Sequence, residues 1–337
     1  MSEIHALAAH EAAGELAPFP FDPGPLGEEQ VEIEVQYCGI CHSDLSMLNN
    51  EWGMTKFPFV PGHEAIGKVT QVGASAKSVT VGQTVGLGWN SGSCLHCRAC
   101  LAGDHNMCST LQQTIVGRHG AFATHVRCHW VWATPLPEGI DPAKAGPMFC
   151  GGITVFNPLV QFDVKPTDRV AVVGIGGLGH IALQFLNKWG SHVTAFTTSD
   201  NKAAEAQKLG AHAVVNTRSE ADLKKVARSL NLILSTVTAD LDMNLYLRAL
   251  ASRGRFHTVG AIPEIKTSAF ALIAGQREIS GSPSGAPINV MKMLDFAARH
   301  GIAPITEEFR MSQANEAIAH LESGKARYRV VLKNDLT

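Results

Sequence analysis

The chain lacks any uninterrupted apolar run near the roughly 20 residues that a membrane helix needs, which argues against a membrane-spanning protein. It also lacks an excess of one charge: 28 Lys and Arg stand against 30 Asp and Glu, a formal net charge of -2. With no basic stripe, the expectation is that nucleic acid is not a partner. The opening MSEIHALAAHEAAGEL carries acidic residues and has neither a basic n-region nor an apolar h-region, so it does not read as a secretory signal. A cytoplasmic, reducing location is therefore expected, where disulfides are rare. Low-complexity tracts and internal repeats are missing too. Charged residues make up 17% and hydrophobic residues 45% of the 337, the balance of a globular protein of about two domains with a substantial core.

Cysteine, by contrast, is plentiful. Eight cysteines in a reducing compartment point to metal or catalysis rather than to bridges. Four of them read Cys94-x2-Cys97-x2-Cys100-x7-Cys108, which suits the tetrahedral all-sulfur coordination of a structural zinc ion. Two disulfides would need an oxidising compartment. A ferredoxin-type cluster uses different spacing and a following proline, where this chain has Ser109. Four sulfurs leave no open metal position, so this site is expected to hold a lobe folded while the chemistry lies elsewhere.

The first part of the chain reads as β-rich. VEIEVQYCG (31–39) alternates apolar and polar residues, and EAIGKVTQVG (64–73) and TVGLGW (84–89) are similar. The character changes near residue 150. VAVVG (170–174) is an apolar strand without alternation, as in a sheet covered on both faces. A helical pattern follows with Leu178, Ile181, Ala182, Phe185 and Trp189 on one face. HVTAFT, AVVNT, NLILST and RFHTVG are further strands with helical stretches between most of them. This βαβα series predicts a doubly wound parallel sheet, an α/β fold. After about Pro287 the pattern loosens into two amphipathic helices and a closing strand, YRVVLK.

Gly174-x-Gly176-x-x-Gly179 lies between the apolar strand and its helix, with Gly177 and Leu178 inside the turn. In that context the motif predicts a dinucleotide pyrophosphate seated on the helix N-terminus. Cofactor choice depends on the tip of the second strand, where NAD enzymes usually carry Asp or Glu. Here the tip reads Phe196-Thr197-Thr198-Ser199-Asp200-Asn201-Lys202. The hydroxyls of Thr197, Thr198 and Ser199 with Lys202 favour a 2′-phosphate and hence NADP(H), with Asp200 as the complication.

The remaining candidates are scattered: Cys41 in CGICHSD, His63 and Glu64 in PGHE, and Cys150 in MFCGGIT. Two thiolates and an imidazole would make a zinc site with an open fourth position, as catalysis requires. Spacing alone does not separate this from packed core residues. Taken together, however, YCGICHSDL, FPFVPGHE, the 94–108 lobe, FCGGIT and VVGIGGLGH run in an order and at separations that resemble the zinc-dependent medium-chain alcohol dehydrogenases. The likeness is strongest to the cinnamyl alcohol dehydrogenase and NADPH-dependent aldehyde reductase branch, and it covers nearly the whole chain.

The resemblance implies a GroES-like catalytic domain over residues 1–151 and 287–337, with a Rossmann cofactor domain over 152–286 and the active cleft at their junction. It implies two zinc ions per chain, the catalytic one on Cys41, His63 and Cys150 with Glu64 as an alternative ligand. Asp44 would accept the His63 ring N–H, Ser43 would bond the substrate oxygen, Thr154 would face the nicotinamide, and His42 would lie near the cofactor phosphates. Cys38, Cys128, His119 and His125 match no such role. Many relatives place a histidine three residues after the Ser43 position to pass a proton to solvent; this chain has Ser46. Trp52 and Trp89 follow segments that line the substrate pocket in similar enzymes. The implied activity interconverts primary alcohols and aldehydes by hydride transfer, as an aldehyde reductase acting on aryl or medium-chain aliphatic aldehydes. A homodimer or homotetramer built through the cofactor domain is also implied. An NAD-dependent polyol or secondary-alcohol dehydrogenase of the same fold, and a non-catalytic dinucleotide-binding zinc redox sensor, are the alternatives.

Overall fold

The computed structural model describes residues 3–198 and 202–337, which fall into two compact units. One comprises Met1–Ile153 and Ser284–Thr337, the other Thr154–Pro283. Among the described residues no helix is long and apolar enough to cross a membrane.

The first unit is built around the strand Gln30–Ile40. Val31, Ile33 and Val35 point into the core while Glu34 is exposed, the alternation of a half-buried strand. Glu32 breaks the pattern, buried but paired with Arg127 at 2.7 Å. One edge of this strand pairs with Ala65–Val72; the other pairs first with His125–His129 and then with Arg329–Lys333. The register matches Cys38 with Ala65 and Ile40 with Val330. Residues just past Ile40, just before Ala65 and just before Val330 therefore gather at one end of the sheet. Those residues are Cys41, His63 with Glu64, and Arg329. Phe59, Phe122 and Ile33 help fill the core beneath.

The second unit carries a six-stranded parallel sheet. Its strands are Arg169–Val173, His192–Thr197, Ala213–Asn216, Leu230–Ser235, Leu250–Thr258 and Glu278–Gly281. Numbered in chain order, they lie 3-2-1-4-5-6 across the sheet, the doubly wound dinucleotide-binding order. The switch point falls between the first strand, which leads into Gly174, and the fourth. The helix Gly179–Trp189 buries Ile181, Ala182 and Phe185, with Leu178 and Trp189 half-buried, and closes at Gly190 in the left-handed region (φ 98°).

Candidate metal and cofactor sites

All eight cysteines are unbridged. The ligand atoms of Cys94, Cys97, Cys100 and Cys108 lie within 4.8 Å of one another. The Cys94 and Cys100 sulfurs are 4.0 Å apart, close to the ~3.8 Å that tetrahedral coordination at about 2.3 Å imposes. Backbone N–H groups serve the sulfurs: Cys97 N donates to Cys94 Sγ at 3.3 Å, and Cys94 N to Cys108 Sγ at 3.4 Å. That last bond, with the Thr110 hydroxyl, brings the Cys108 thiol down to about 6, whereas burial pushes Cys100 up to about 12.

The second cluster forms where the sheet register places it. Cys41, His63, Glu64 and Cys150 bring their ligand atoms within 4.8 Å of one another. The Cys41 and Cys150 sulfurs are 3.8 Å apart. The hydrogen bond between them draws the Cys41 thiol well below its ordinary range, and the same bond, together with burial, pushes Cys150 up. Asp44 Oδ1 lies 3.0 Å from His63 Nδ1 and also accepts from the Gly62 N–H at 2.9 Å, while its Oδ2 accepts from the Cys41 N–H. Burial works against a charged His63 ring, but Asp44 outweighs it and holds the ring well above its usual pKa. With Nδ1 committed to Asp44, Nε2 faces the sulfurs, buried and without a hydrogen-bond partner. A buried orphan nitrogen beside two thiols fits a zinc ion of the two-thiolate, one-imidazole kind.

Glu64 is also buried, and its partner is one that the sequence did not single out. Arg329 bonds Glu64 Oε1 and the Ile40 carbonyl. Burial raises the Glu64 carboxyl, with Arg329 opposing it. Burial would lower Arg329, but Glu64, Cys41 and Cys150 together raise it. Glu64 Oε2 has no partner and completes the cluster. An added Cβ at Gly39 would stand 2.0 Å from that oxygen, so a side chain there would displace the Glu64 carboxylate.

The helix His42–Leu48 follows Cys41 directly. His42 is exposed; Ser43 Oγ lies 3.8 Å from Cys41 Sγ; Ser46 Oγ donates to Glu51 Oε2 at 2.7 Å. Trp89 meets the His63 ring edge to face at 5.0 Å, and Trp52 meets Trp89 at 5.9 Å. Both tryptophans thus stand beside the cluster, Trp52 still 40% exposed. Cys38 and Cys128 are buried in the core. His119 packs against Phe19 and Phe21, and His125 sits in a strand.

In the second unit, Gly174 turns in the left-handed region (φ 89°) and Gly179 approaches so closely that a Cβ would stand 1.8 Å from the Gly174 carbonyl oxygen. Around Gly176, in contrast, a Cβ would meet nothing within 4 Å. The chain itself gives no steric reason for that glycine, which fits an external group approaching the backbone there. Gly177 and Leu178 complete the turn, half-buried, and Thr154 lies in the helix Gly151–Gln161. Thr197 is buried at the second strand's tip, with Thr198 and Lys202 exposed nearby in sequence; Ser199 and Asp200 lie outside the described residues.

Comparison with known proteins assigns the class. Residues 27–138 match the alcohol dehydrogenase GroES-like domain, and residues 177–299 match the zinc-binding dehydrogenase domain. The chain belongs to the zinc-dependent medium-chain alcohol dehydrogenase family and is an oxidoreductase. More particularly, it is 54% identical over 332 residues to aldehyde reductase AdhA of Synechocystis sp., covering 98% of this chain and 99% of that protein. It is 36% identical to cinnamyl alcohol dehydrogenase 7 of Arabidopsis thaliana, covering 98% and 95%. Among solved structures it resembles a cinnamyl alcohol dehydrogenase from Sorghum bicolor (SbCAD4), with a TM-score of 0.93, 35% identity and 98% of each chain covered. A Helicobacter pylori enzyme, described as a CAD complexed with NADP(H), aligns with a TM-score of 0.90 and 27% identity over 98% of each chain.

Proposed function

We propose that the chain is an NADP(H)-dependent aldehyde reductase holding two zinc ions, with catalysis at Cys41, His63 and Cys150 and a structural ion at Cys94, Cys97, Cys100 and Cys108. The observation that carries the reading is the convergence of two thiols and the orphan His63 Nε2 on one buried point. Zinc held there supplies a Lewis acid for a carbonyl oxygen. The nicotinamide cofactor, seated at 174–179, supplies the hydride.

The chain's own residues do the rest. Two thiolates balance the charge of a divalent ion, and Asp44 keeps the His63 tautomer that leaves Nε2 free. Ser43, whose Oγ lies 3.8 Å from the Cys41 sulfur, is assigned to bond the substrate oxygen. Trp89 and Trp52 supply an aromatic wall suited to aryl or medium-chain aliphatic aldehydes and exclude water. Thr197, Thr198, Ser199 and Lys202 favour a 2′-phosphate. His42 and Thr154 are assigned to the cofactor phosphates and nicotinamide. Assembly as a homodimer or homotetramer through the second unit belongs to the same reading.

The test pairs metal analysis with turnover. Zinc-loaded protein is expected to contain about two zinc ions per chain, falling to about one in Cys100→Ser, with its unfolding midpoint lowered. Reduction of cinnamaldehyde should proceed at least about tenfold faster with NADPH than with NADH at limiting cofactor, the value of one lost phosphate contact. A preference for NADH would favour the polyol-type alternative. One zinc ion and no carbonyl reduction would favour a non-catalytic sensor.

A further inference from the structure

Resting on the reading of the chain as an NADP(H) enzyme, we infer that Arg218 is a specificity-determining residue, whose guanidinium grips the 2′-phosphate of the cofactor together with Lys202. A phosphate monoester carries nearly two negative charges at neutral pH and offers three strong acceptor oxygens. A single ammonium neither balances that charge nor fills those oxygens, so the site calls for a second cation. In a doubly wound sheet the ligand lies across the carboxyl ends of the strands. The first strand, Arg169–Val173, leads into the glycine turn, and the second, His192–Thr197, leads toward Thr198 and Lys202. The third, Ala213–Asn216, pairs in parallel with the second and sets Asn216 beside Thr197. Its end therefore flanks the second strand's end at a spacing of about 5 Å. Arg218 lies two residues past it.

The chain past Asn216 is drawn back onto the second strand. The Thr217 N–H donates to the Thr197 carbonyl at 2.8 Å, and the Thr217 hydroxyl donates to the same oxygen at 3.2 Å. A turn then closes over Asn216–Thr217–Arg218–Ser219. In it the Ser219 N–H donates to the Asn216 carbonyl at 3.0 Å, and the Arg218 N–H donates to Asn216 Oδ1 at 3.0 Å. Ser219 in turn caps the helix Glu220–Lys225, accepting from the Asp222 N–H at 3.2 Å. The Arg218 backbone is thus pinned on both sides while its side chain is exposed. The neighbouring charges are already matched: Lys224 pairs with Glu220 at 2.9 Å and Lys225 with Asp222 at 2.7 Å. Among the described residues neither Arg218 nor Lys202 makes an ion pair, so both cations are available to an anion from outside the chain. The planar fork of Arg218 matches two phosphate oxygens, where Lys202 acts as a point charge. NAD(H) has a hydroxyl where NADP(H) has the phosphate, so a contact made here separates the two cofactors without touching the hydride-bearing end.

Direct titration reads this without turnover. With zinc-loaded protein at fixed pH and low ionic strength, NADPH binding is followed by nicotinamide fluorescence. Its Kd should rise at least about fivefold in Arg218→Ala and in Lys202→Ala, while the Kd for NADH stays where it is in the wild type. Arg218→Lys should fall between the wild type and Arg218→Ala, because the charge returns without the fork. Adenosine 2′,5′-bisphosphate carries the phosphate without the nicotinamide and should lose affinity by the same factor, whereas 5′-AMP should not. Added salt should weaken NADPH binding more steeply in the wild type than in Arg218→Ala. An unchanged Kd for NADPH in Arg218→Ala, or NADPH and NADH weakened alike, would overturn the assignment. A wild type that binds NADH as tightly as NADPH would instead overturn the cofactor reading on which it rests.

Discussion

At the residue scale, Arg329 shows what a sequence pattern leaves hidden. Cys41, His63 and Cys150 sit in recognisable segments, but the cation beside Glu64 lies 265 residues further along the chain. No local signal marks it, because YRVVLK reads as an ordinary strand; only the register of Ile40 with Val330 brings it to the cluster. Both partners are buried, so the pair is not a surface ion pair that solvent would screen. Removing one partner strands a charge in the core. Arg329→Leu should lower unfolding stability by about 3–5 kcal/mol, measured by denaturant titration of the zinc-free protein. Adding Glu64→Gln should recover part of that loss, because no ionised carboxylate then remains uncompensated. Equal stabilities for the single and double variants would mean that the charge pairing contributes little.

At the scale of elements, five of the six parallel strands were legible as β-type runs with helical patterns between most of them, whereas the short Glu278–Gly281 (EISG) was not, nor were the strand-to-strand contacts at their ends. His257, in the strand Leu250–Thr258, illustrates the gap. It is 0% exposed, with the Ser280 hydroxyl 2.9 Å from Nδ1 and the Ser282 hydroxyl 2.9 Å from Nε2, while the Phe162 ring meets it edge to face. A neutral ring has one N–H and one lone pair, so one serine accepts and the other donates. Burial, aided by nearby Arg255, holds the ring down at about 4. Arg255 in turn stacks on Phe162 and pairs with Glu278. The folded unit therefore resists a proton that the unfolded chain binds below about 6.5. Its contribution to stability is complete above about pH 6.5 and is lost as pH falls toward 4, amounting to about 3 kcal/mol across that window. Melting curves should show the unfolding midpoint dropping over this range, with a clearly shallower drop in His257→Gln. An unchanged slope in the variant would assign the acid sensitivity to other groups.

At the scale of the whole molecule, the change of pattern near residue 150 and the loosening after Pro287 marked out two kinds of architecture in the sequence. The doubly wound parallel sheet could be anticipated from the βαβα series, although right-handed crossovers alone leave open its 3-2-1-4-5-6 order. The switch of partners along Gln30–Ile40 could not, since strands near residues 125 and 330 share one of its edges. Open sheet edges bear on assembly. Glu278–Gly281 ends the parallel sheet, pairing with Leu250–Thr258 on one side and with no strand on the other among the described residues. Open edges of this kind invite pairing with a second copy unless they are covered or charged. In the same unit, the short helix Ala269–Ile273 exposes Phe270 at 74% and Ile273 at 72%, among the most exposed large apolar side chains in the protein. An apolar pair and an unpaired strand edge in one unit support self-association there, and an interface made by the same patch on both copies closes as a two-fold dimer. On the proposed assembly through this unit, Phe270→Asp combined with Ile273→Asp should shift the mass measured by light scattering from that of an oligomer to that of the monomer, because burying two carboxylates would cost several kcal/mol per copy. The zinc content should stay at about two per chain, since neither residue belongs to the unit that carries the metal clusters. An oligomer that persists in this variant would place the interface on another surface.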